Sequence, residues 1–461
     1  MKVLLLKPYN RSDHIQPSLG LGYLATAIRD KHEVTILDGI KRGMTIKKLK
    51  EYLADYQPDV FGCQCYTFDL DYVTKAMTVV KRQDPKVITI IGGPHPSALP
   101  HETMSRLGDS LDFAMVGEAE KGLPMLLEVL SSKNNPITLD AIPGLVWRDK
   151  GQIRVNPQVF INDLDSLGFP SWDLIKPNEY PEAQHGAFFK QFPIAPIITT
   201  RGCPYSCTFC AAKLITGIKM RRRSVAHVLA EIKMLYRDYG IREIHIVDDN
   251  FTQDKRFAKE LLTKFIDLHL GISLAFPNGV RLETLDSELL QLMKGAGCYL
   301  VSVGIESGSD RILRLMRKNL STGEIREKMR VIRQAGLDAA GFFILGYPGE
   351  TVEEIQQTIA FSLELDLLRA NYFNLLPLPG TEIYGELRKD GKLSQVDWEH
   401  FSFSSAPYIP EGLTRPQLKG LQRQAFLRFF LRPRILLENL RGIKSLKHLR
   451  FLVIRAFRWL L

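Results

Sequence analysis

The chain has 461 residues, of which 45% are hydrophobic and 24% are charged, and its formal net charge is +10. This length and composition exclude a disordered polypeptide and predict two or three domains, because one hydrophobic core rarely serves so long a chain. The first apolar run ends at Lys7, too early for a secretory signal, and no segment approaches the roughly 20 apolar residues of a membrane-spanning helix. We therefore expect a cytoplasmic protein.

Short apolar runs alternate with helical patterns from the amino terminus to about residue 132. The strand candidates begin at Val3, Val34, Asp59, Ile88 and Asp112, and helical patterns begin near Leu21 and Ile46. Strands that alternate with helices usually pair in parallel. We therefore predict a doubly wound, Rossmann-like α/β domain over residues 1–140, with the Cys63 and Cys65 side chains packed on one face of a strand in its core.

The first helical segment contains a motif that resembles a dinucleotide fingerprint. Gly20, Gly22 and Ala25 spell GxGxxA, and Asp38 follows at a distance that suits a ribose-binding acid. A nicotinamide site needs the glycines directly after the first strand, whereas about a dozen residues separate Pro8 from Gly20. Ordinary helix packing is the better interpretation of these small residues.

Residues 141–195 are predicted to form a linker, because prolines accumulate there and the periodicity fades. One segment is different. LVWRDKGQIRV begins at Leu145 and predicts a hairpin that turns between Asp149 and Gly151.

A second alternating series covers residues 196–400. Its strand candidates begin at Ile197, Glu243, Ser273, Tyr299, Gly341 and Tyr372. Ser224 is a candidate helix cap, and Thr351 with Glu354 forms a capping-box pattern. Six βα units predict an open, partial (β/α)6 barrel, whose chemistry lies at the carboxyl ends of the strands. Those ends carry Cys203, Asp248, Asp249, Arg281, Glu306 and Tyr347.

Residues 401–461 are predicted to form a basic, helical carboxyl-terminal region. From Glu411 onward, twelve Lys or Arg residues stand against two acidic residues, which accounts for the whole net charge. Large apolar side chains recur among these cations at helical spacing. Two interpretations stay open: helices that pack an apolar face on the barrel, and basic amphipathic helices that contact an anionic membrane. We expect no nucleic-acid partner.

Three of the six cysteines, Cys203, Cys207 and Cys210, lie within eight residues in RGCPYSCTFC, after the first barrel strand. In a reducing cytosol this crowding favours metal ligation over disulfides. Zinc would need a fourth ligand such as His185 or His227, which lack finger spacing. A thioredoxin-like pair would need a different sequence context. A [4Fe-4S] cluster commonly takes four thiolates, so three cysteines would leave one iron open.

The CxxxCxxC spacing, with the aromatic Phe209 before the last cysteine, resembles the signature of the radical S-adenosylmethionine superfamily. The resemblance implies that Cys203, Cys207 and Cys210 ligate a [4Fe-4S] cluster. It also implies that the open iron binds the amino and carboxylate groups of S-adenosylmethionine and delivers one electron to the sulfonium. A 5′-deoxyadenosyl radical would then abstract a substrate hydrogen.

Further segments resemble the cofactor-binding strand ends of the same superfamily. IVDDNFTQD stands where many members have a Gly-Gly-Glu motif that contacts the methionine amino group, so Asp249 is the implied contact here. VSVGIESGS implies that Glu306 binds the ribose hydroxyls, and FILGYPGET implies that Gly346 borders the adenine. Arg281 in NGVRLETL is expected to face the carboxylate or the substrate. For each residue, a structural ion pair or a capping role is the competing interpretation.

The first domain resembles the cobalamin-binding module of class B radical S-adenosylmethionine enzymes, and the order of segments resembles that class over nearly the whole chain. GGPHP and VGEAE match loops that line the corrin and its nucleotide tail, which implies contacts by Thr67, Gly92, Gly93, Gly117 and Glu118. Small residues let a planar macrocycle approach the backbone. KPYNRSDH replaces the cobalt-ligating DxHxxG motif. Cobalamin would therefore lack a protein histidine below cobalt, or would not bind.

These features predict a cobalamin-dependent radical enzyme that methylates an unactivated carbon of a small or lipid-like metabolite. The resemblance implies two uses of S-adenosylmethionine, one to methylate reduced cobalamin and one to generate the substrate radical. It also implies a reducing partner such as flavodoxin or ferredoxin. Two alternatives stay open: anaerobic oxidative cyclisation of a tetrapyrrole ester, and a sensor that binds a cluster or corrinoid without turnover.

Overall fold

The computed structural model describes residues 1–10, 15–132, 136–182, 189–395, 401–403, 405–443, 445–446, 449–450 and 452–453. The chain divides into two compact units. The first consists of Met1–Tyr180, Arg201–Pro204 and Ala211–Ser224, and the second of Pro181–Thr200, Tyr205–Cys210 and Val225–Leu461.

The first unit is built on a seven-stranded sheet with helices on both faces. Its strands are β1 Lys2–Lys7, β2 Glu33–Asp38, β3 Val60–Gln64, β4 Ile88–Gly92, β5 Phe113–Met115, β6 Leu145–Asp149 and β7 Gln152–Val155. Its helices are α1 Leu19–Ile28, α2 Gly39–Arg42, α3 Ile46–Tyr56, α4 Leu70–Gln83, α5 Pro94–Ala98, α6 Pro100–Leu107, α7 Gly122–Ser131, α8 Trp172–Ile175 and α9 Ala212–Thr216. The strand order is β2-β1-β3-β4-β5-β6-β7. Strands β1 to β5 are parallel, which confirms the doubly wound prediction.

Strand β1 shows why both faces of this sheet are covered. Leu4 and Leu6 pack in one apolar cluster, whereas Val3 and Leu5 pack in another. Side chains alternate between the faces of a strand, so a continuous apolar run requires a hydrophobic layer on each side. Cys63 and Cys65 belong to the same cluster as Leu4, as predicted from their spacing.

Two local predictions for the first unit are confirmed. The hairpin forms between β6 and β7, and Lys150 and Gly151 both have positive φ, as a two-residue hairpin turn requires. Strand β6 also pairs antiparallel with β5, so the hairpin extends the sheet. Gly22 lies inside α1, where an added Cβ would stand 2.5 Å from Ile175 Cδ1. The glycine therefore serves close helix packing rather than a dinucleotide.

Within the described residues, the second unit contains two three-stranded parallel sheets. Their strands are β8 Ile194–Ile197, β9 Glu243–Ile246, β10 Ser273–Ala275, β11 Leu300–Glu306, β12 Asp338–Leu345 and β13 Arg369–Asn374. The helices are α10 Val225–Asp238, α11 Lys255–Ile266, α12 Ser287–Gly295, α13 Asp310–Leu315, α14 Thr322–Gln334, α15 Val352–Glu364, α16 Glu382–Lys389, α17 Arg415–Phe430 and α18 Pro433–Arg441. The two triplets, β8-β9-β10 and β11-β12-β13, are linked by parallel bridges at Leu274–Cys298 and Val280–Val303. This is the predicted partial (β/α)6 barrel.

Strand starts are where the sequence-based boundaries differ from the structure. Strands β8, β12 and β13 each begin three residues before the predicted start. The early residues of β13 include Arg369, which pairs with Ala340 through its backbone. Ladder hydrogen bonds do not depend on side-chain polarity, so hydropathy misses such residues. The capping box of Thr351 and Glu354 at α15 is confirmed.

The carboxyl-terminal helices differ in how they use their apolar residues. Helix α17 buries Leu418, Leu421 and Phe429 within the second unit. Helix α18 buries only Ile435, and its three leucines, Leu436, Leu437 and Leu440, are exposed. Packing on the barrel is therefore confirmed for α17. Within the described residues, no helix combines the length and the apolar character that crossing a membrane requires.

Candidate active site

The three clustered cysteines lie on the loop that follows β8 and form no disulfide. Cys203 is half-buried in the first unit, and its N–H donates to Gly217 O at 3.1 Å. In the second unit Cys207 is buried and Cys210 is exposed, with Cys210 N donating to Cys207 O at 3.2 Å. Gly202 has φ +98°, and an added Cβ would stand 2.3 Å from Lys219 O. Only glycine fits immediately before Cys203.

A site for one metal ion would require the loop cysteines to be gathered closely together. Among the described residues, no three His, Cys, Asp or Glu side chains converge closely enough to hold one metal ion. His185, a candidate fourth zinc ligand, lies outside the described residues. In a cuboidal cluster each thiolate binds a different iron, so its ligands stand farther apart than those of one ion. The donor set of three thiols on one short loop fits that arrangement.

Thr208 fastens the part of the loop that carries Cys207 and Cys210. Its N–H donates to Met316 O at 3.2 Å, its carbonyl accepts from Ile383 N at 3.1 Å, and its hydroxyl lies 2.7 Å from Tyr347 Oη. Phe209 packs against the apolar cluster that contains Met316 and Tyr347. The aromatic residue before the last cysteine therefore contributes to loop packing, beside any cofactor contact.

The two aspartates after β9, Asp248 and Asp249, lie in different environments. Asp248 is buried, and its carboxylate accepts hydrogen bonds from the N–H and hydroxyl groups of Thr199 and Thr200. Burial outweighs these bonds and raises the pKa of Asp248 to about 6. Asp249 is half-buried, and Asn250 Oδ1 is buried without a hydrogen-bond partner among the described residues. Asp248 thus tethers the chain before the cysteine loop, and the buried amide oxygen of Asn250 is the unsatisfied acceptor beside it among the described residues.

Arg281 and Glu306 meet in one buried network. Arg281 Nη1 donates to Cys207 Sγ at 3.5 Å, and its Nη2 donates to Lys318 O at 2.7 Å. Lys318 Nζ in turn donates to Glu306 Oε1 at 2.8 Å. An added Cβ at Gly304 would stand 2.3 Å from Glu306 Oε1. The glycine in VSVGIESGS therefore makes room for the buried ion pair.

The backbone is strained in the network that contains Glu306 and Lys318. Glu306 has φ +67°, and the register of β11 on β12 shifts between Gly304 and Glu306. Positive φ is uncommon for residues other than glycine and clusters at functional sites. Arg317 and Asn319, which flank Lys318, also have positive φ. The fold therefore holds Glu306, and the residues on either side of Lys318, in backbone conformations that the chain does not prefer locally.

The FILGYPGET loop closes on itself through Glu350. The Glu350 carboxylate accepts from Gly346 N at 2.7 Å and Tyr347 N at 3.0 Å. Burial raises the pKa of Glu350 to about 8. Gly346 has φ +79°, and Leu418 of α17 lies where its Cβ would be. The predicted adenine-bordering backbone is thus a preformed turn.

Four of the predicted cobalamin contacts lie together in the first unit, at the carboxyl ends of three neighbouring strands. Thr67 follows β3, Gly92 and Gly93 follow or end β4, and Gly117 follows β5. Thr67 Oγ1 lies 3.2 Å from His95 Nδ1. Gly93 has φ +105°, and its Cβ would stand 3.1 Å from Cys65 O. The exposed rings of Tyr66 and Phe68 stack beside Thr67, with centroids 5.3 Å apart. Small residues beside exposed aromatic rings fit a planar macrocycle.

The carboxylate of Glu118, the fifth predicted cobalamin contact, forms ion pairs with two arginines. Arg221 binds its carboxylate bidentately with two 2.7 Å bonds, Arg201 lies 3.2 Å away, and Ile161 N donates at 2.9 Å. Burial alone would raise the pKa of Glu118, but these partners outweigh it and the pKa is lowered. Its role toward a ligand stays a prediction.

Sequence reasoning missed the partners that hold these residues. They are Lys318, Glu350, Arg201, Arg221 and Thr208. Arg221 is 103 residues from Glu118, and no local pattern connects them. One sequence feature could have indicated the buried Lys318–Glu306 ion pair. It is Gly304, which stands two residues before Glu306 and leaves room for both side chains.

A doubly wound unit and a partial parallel barrel, with three cysteines outside any disulfide after the first barrel strand, define an α/β protein of the kind that carries iron–sulfur chemistry. Two family models match in the same order: the B12 binding domain over residues 10–127 and the Radical SAM superfamily over residues 197–362.

Three named proteins are similar to this chain over most of its length. An uncharacterized methyltransferase of Pyrococcus horikoshii is 30% identical and aligns with 100% of this chain and 98% of that protein. The anaerobic magnesium-protoporphyrin IX monomethyl ester cyclase of Cereibacter sphaeroides is 24% identical over 90% of this chain and 67% of the cyclase. The solved radical S-adenosylmethionine methyltransferase TsrM of Kitasatospora setae, with cobalamin and a [4Fe-4S] cluster bound, has a TM-score of 0.68 and 21% identity, covering 84% of this chain and 78% of TsrM. The chain belongs to the radical SAM enzymes that carry an amino-terminal B12-binding domain.

Proposed function

We propose that this enzyme is a cobalamin-dependent radical methyltransferase that acts on an unactivated carbon of a small or lipid-like molecule. The observation that carries the proposal is the loop with Cys203, Cys207 and Cys210, because three thiols leave one iron of a [4Fe-4S] cluster open. The methyltransferase name of the Pyrococcus horikoshii relative, which aligns over 98% of its length, supports the reaction type. In this proposal residues 1–140 bind cobalamin, residues 141–195 link, residues 196–400 form the catalytic barrel and residues 401–461 form the basic region.

The described residues fit these cofactors as follows. The three cysteines would ligate the cluster, and Asp249, Glu306 and the Gly346 turn would hold S-adenosylmethionine. When bound, the cluster supplies the electron that cleaves S-adenosylmethionine, and cobalamin supplies the methyl group.

Thr67, Gly92, Gly93 and Gly117 would border cobalamin. The Lys7 side chain at the end of β1 is buried and pairs with Asp38 and Gln16 O. The proposal includes a cytoplasmic location and a flavodoxin or ferredoxin as electron donor.

Methyl-labelled S-adenosylmethionine tests the reaction type. We expect label in the product of the anaerobically reconstituted enzyme, once a substrate is found by comparing metabolites of a deletion strain with those of its parent. Oxidative cyclisation is the second candidate, because the Cereibacter relative is named as a cyclase. That reaction would give an unlabelled ring product. A non-catalytic sensor would form no 5′-deoxyadenosine under reducing conditions with that substrate. Either outcome contradicts methyl transfer.

The exposed leucines of the carboxyl-terminal region support a further proposal, that this region contacts an anionic membrane surface. Leu436, Leu437 and Leu440 of α18 are 43%, 48% and 63% exposed. Exposed arginines of the same region, Arg434 and Arg441, flank them. Apolar side chains beside cations suit the headgroup boundary of anionic bilayers.

We expect the full-length protein to float with phosphatidylserine-containing vesicles, and to do so less as salt rises, because salt screens surface charges. Replacing Leu436, Leu437 and Leu440 together by serine should abolish flotation. Val159→Ser, at a 42% exposed apolar residue of the first unit, is the matched control. Equal flotation of the triple variant, or equal binding to neutral phosphatidylcholine vesicles, would contradict the proposal.

A further inference from the structure

The guanidinium of Arg281 contacts two residues of the cysteine loop. Nη1 donates to Cys207 Sγ at 3.5 Å, and Cζ lies 3.5 Å from the centroid of the Tyr205 ring. Arg281 follows β10 and is 74 residues from Cys207 along the chain. The second unit therefore brings a permanent positive charge to one of the three thiols.

Other contacts hold this charge in place. Arg281 Nη2 donates to Lys318 O at 2.7 Å, and Nε donates to Glu283 Oε1 at 2.7 Å. Arg281 is only 8% exposed. A buried charge is weakly screened by solvent and salt, so water and ions reduce its field at the nearby sulfur only a little.

We propose that Arg281 is a positioning residue that raises the reduction potential of the cluster through Cys207, an inference that rests on the proposed function. Reduction adds one electron, donated by a low-potential protein of the flavodoxin or ferredoxin class, to a group that is already bound by anionic thiolates. A cation that donates a hydrogen bond to a ligand sulfur stabilises the reduced state more than the oxidised state. Glu283 pairs with the same guanidinium and opposes its effect.

The two residues therefore predict shifts of opposite sign. Redox titration of the anaerobically reconstituted full-length protein, followed by electron paramagnetic resonance without S-adenosylmethionine, gives the midpoint potential. For Arg281→Met we expect the equilibrium constant for reduction to fall about tenfold, which is 59 mV for a one-electron couple. Glu283→Gln should raise the potential. Arg281→Lys keeps the charge but loses the planar fork, so its potential should lie between those of Arg281→Met and the wild type.

Arg242→Met is the matched control. Arg242 precedes β9 and so lies at the amino-terminal end of the strands, opposite to the cysteine loop. An unchanged potential in Arg281→Met, or an equal shift in Arg242→Met, overturns the inference. If Arg281→Met does not fold, a potential in Glu283→Gln equal to or below that of the wild type overturns it. Iron and sulfide analysis separates the two proposals, because wild-type protein without a cluster contradicts the proposed function itself.

Discussion

Replacing any one of Cys203, Cys207 and Cys210 by alanine is expected to remove the iron–sulfur cluster and to leave less than about a thousandth of the wild-type activity. The reason is that the cluster supplies the electron for the first chemical step, and enzyme rate accelerations of roughly 10⁶-fold or more depend on such groups being in place. Iron and acid-labile sulfide per chain, with formation of 5′-deoxyadenosine, measure the loss directly.

Cys298→Ala is the matched control for these variants. Cys298 is also in the second unit but is buried just before β11, at the amino-terminal end of that strand, and burial raises the pKa of its thiol to about 12. A protonated, buried cysteine behaves as a small apolar side chain, so this variant should keep its iron and sulfide and lose about 1 kcal/mol of stability. A full complement of iron in the loop variants would refute the cluster assignment.

Glu118→Gln is expected to destabilise the first unit by about 3–5 kcal/mol, because removing one partner of a buried ion pair leaves the other charge uncompensated. Arg221 would lose both of its short contacts to a carboxylate, and Arg201 would lose one of its two carboxylate partners and keep Glu120. Urea unfolding followed by tryptophan fluorescence measures the change, since Trp147 and Trp172 are buried in this unit.

The pH dependence of the same variant follows from the lowered pKa of Glu118. A carboxyl whose folded pKa lies below its ordinary value near 4.5 stabilises the protein above that value. This stabilisation is lost as the pH falls through the folded pKa. The wild type should therefore lose stability in acid, whereas Glu118→Gln should lack that part of the pH dependence.

The exposed pair Arg29–Asp173 provides the control within the same unit. Its side chains are 40% and 52% exposed. Exposed ion pairs contribute roughly 0–1 kcal/mol, so Asp173→Asn should change the free energy of unfolding by less than about 1 kcal/mol. Equal effects of Glu118→Gln and Asp173→Asn would contradict a buried structural role for Glu118.

The sequence by itself determined those features that depend on short-range pattern. The alternation of apolar strands with helical periods defines both parallel sheets, since a strand buried on both faces is continuously apolar. The hairpin at Lys150 and Gly151 and the capping box at Thr351 follow from a few adjacent residues. The crowding of three thiols within eight residues likewise needs no tertiary information.

Only the tertiary structure decided which groups act on the predicted site residues. Asp248 binds Thr199 and Thr200, about fifty residues before it, and is thereby withdrawn from ligand binding. Lys318 neutralises Glu306, and Arg281 reaches Cys207 across 74 residues. Such contacts depend on which strands become neighbours and on strained backbone such as that of Glu306. Hydropathy and local propensity contain no information about pairings at that separation, because those pairings are formed by the packing of the whole unit.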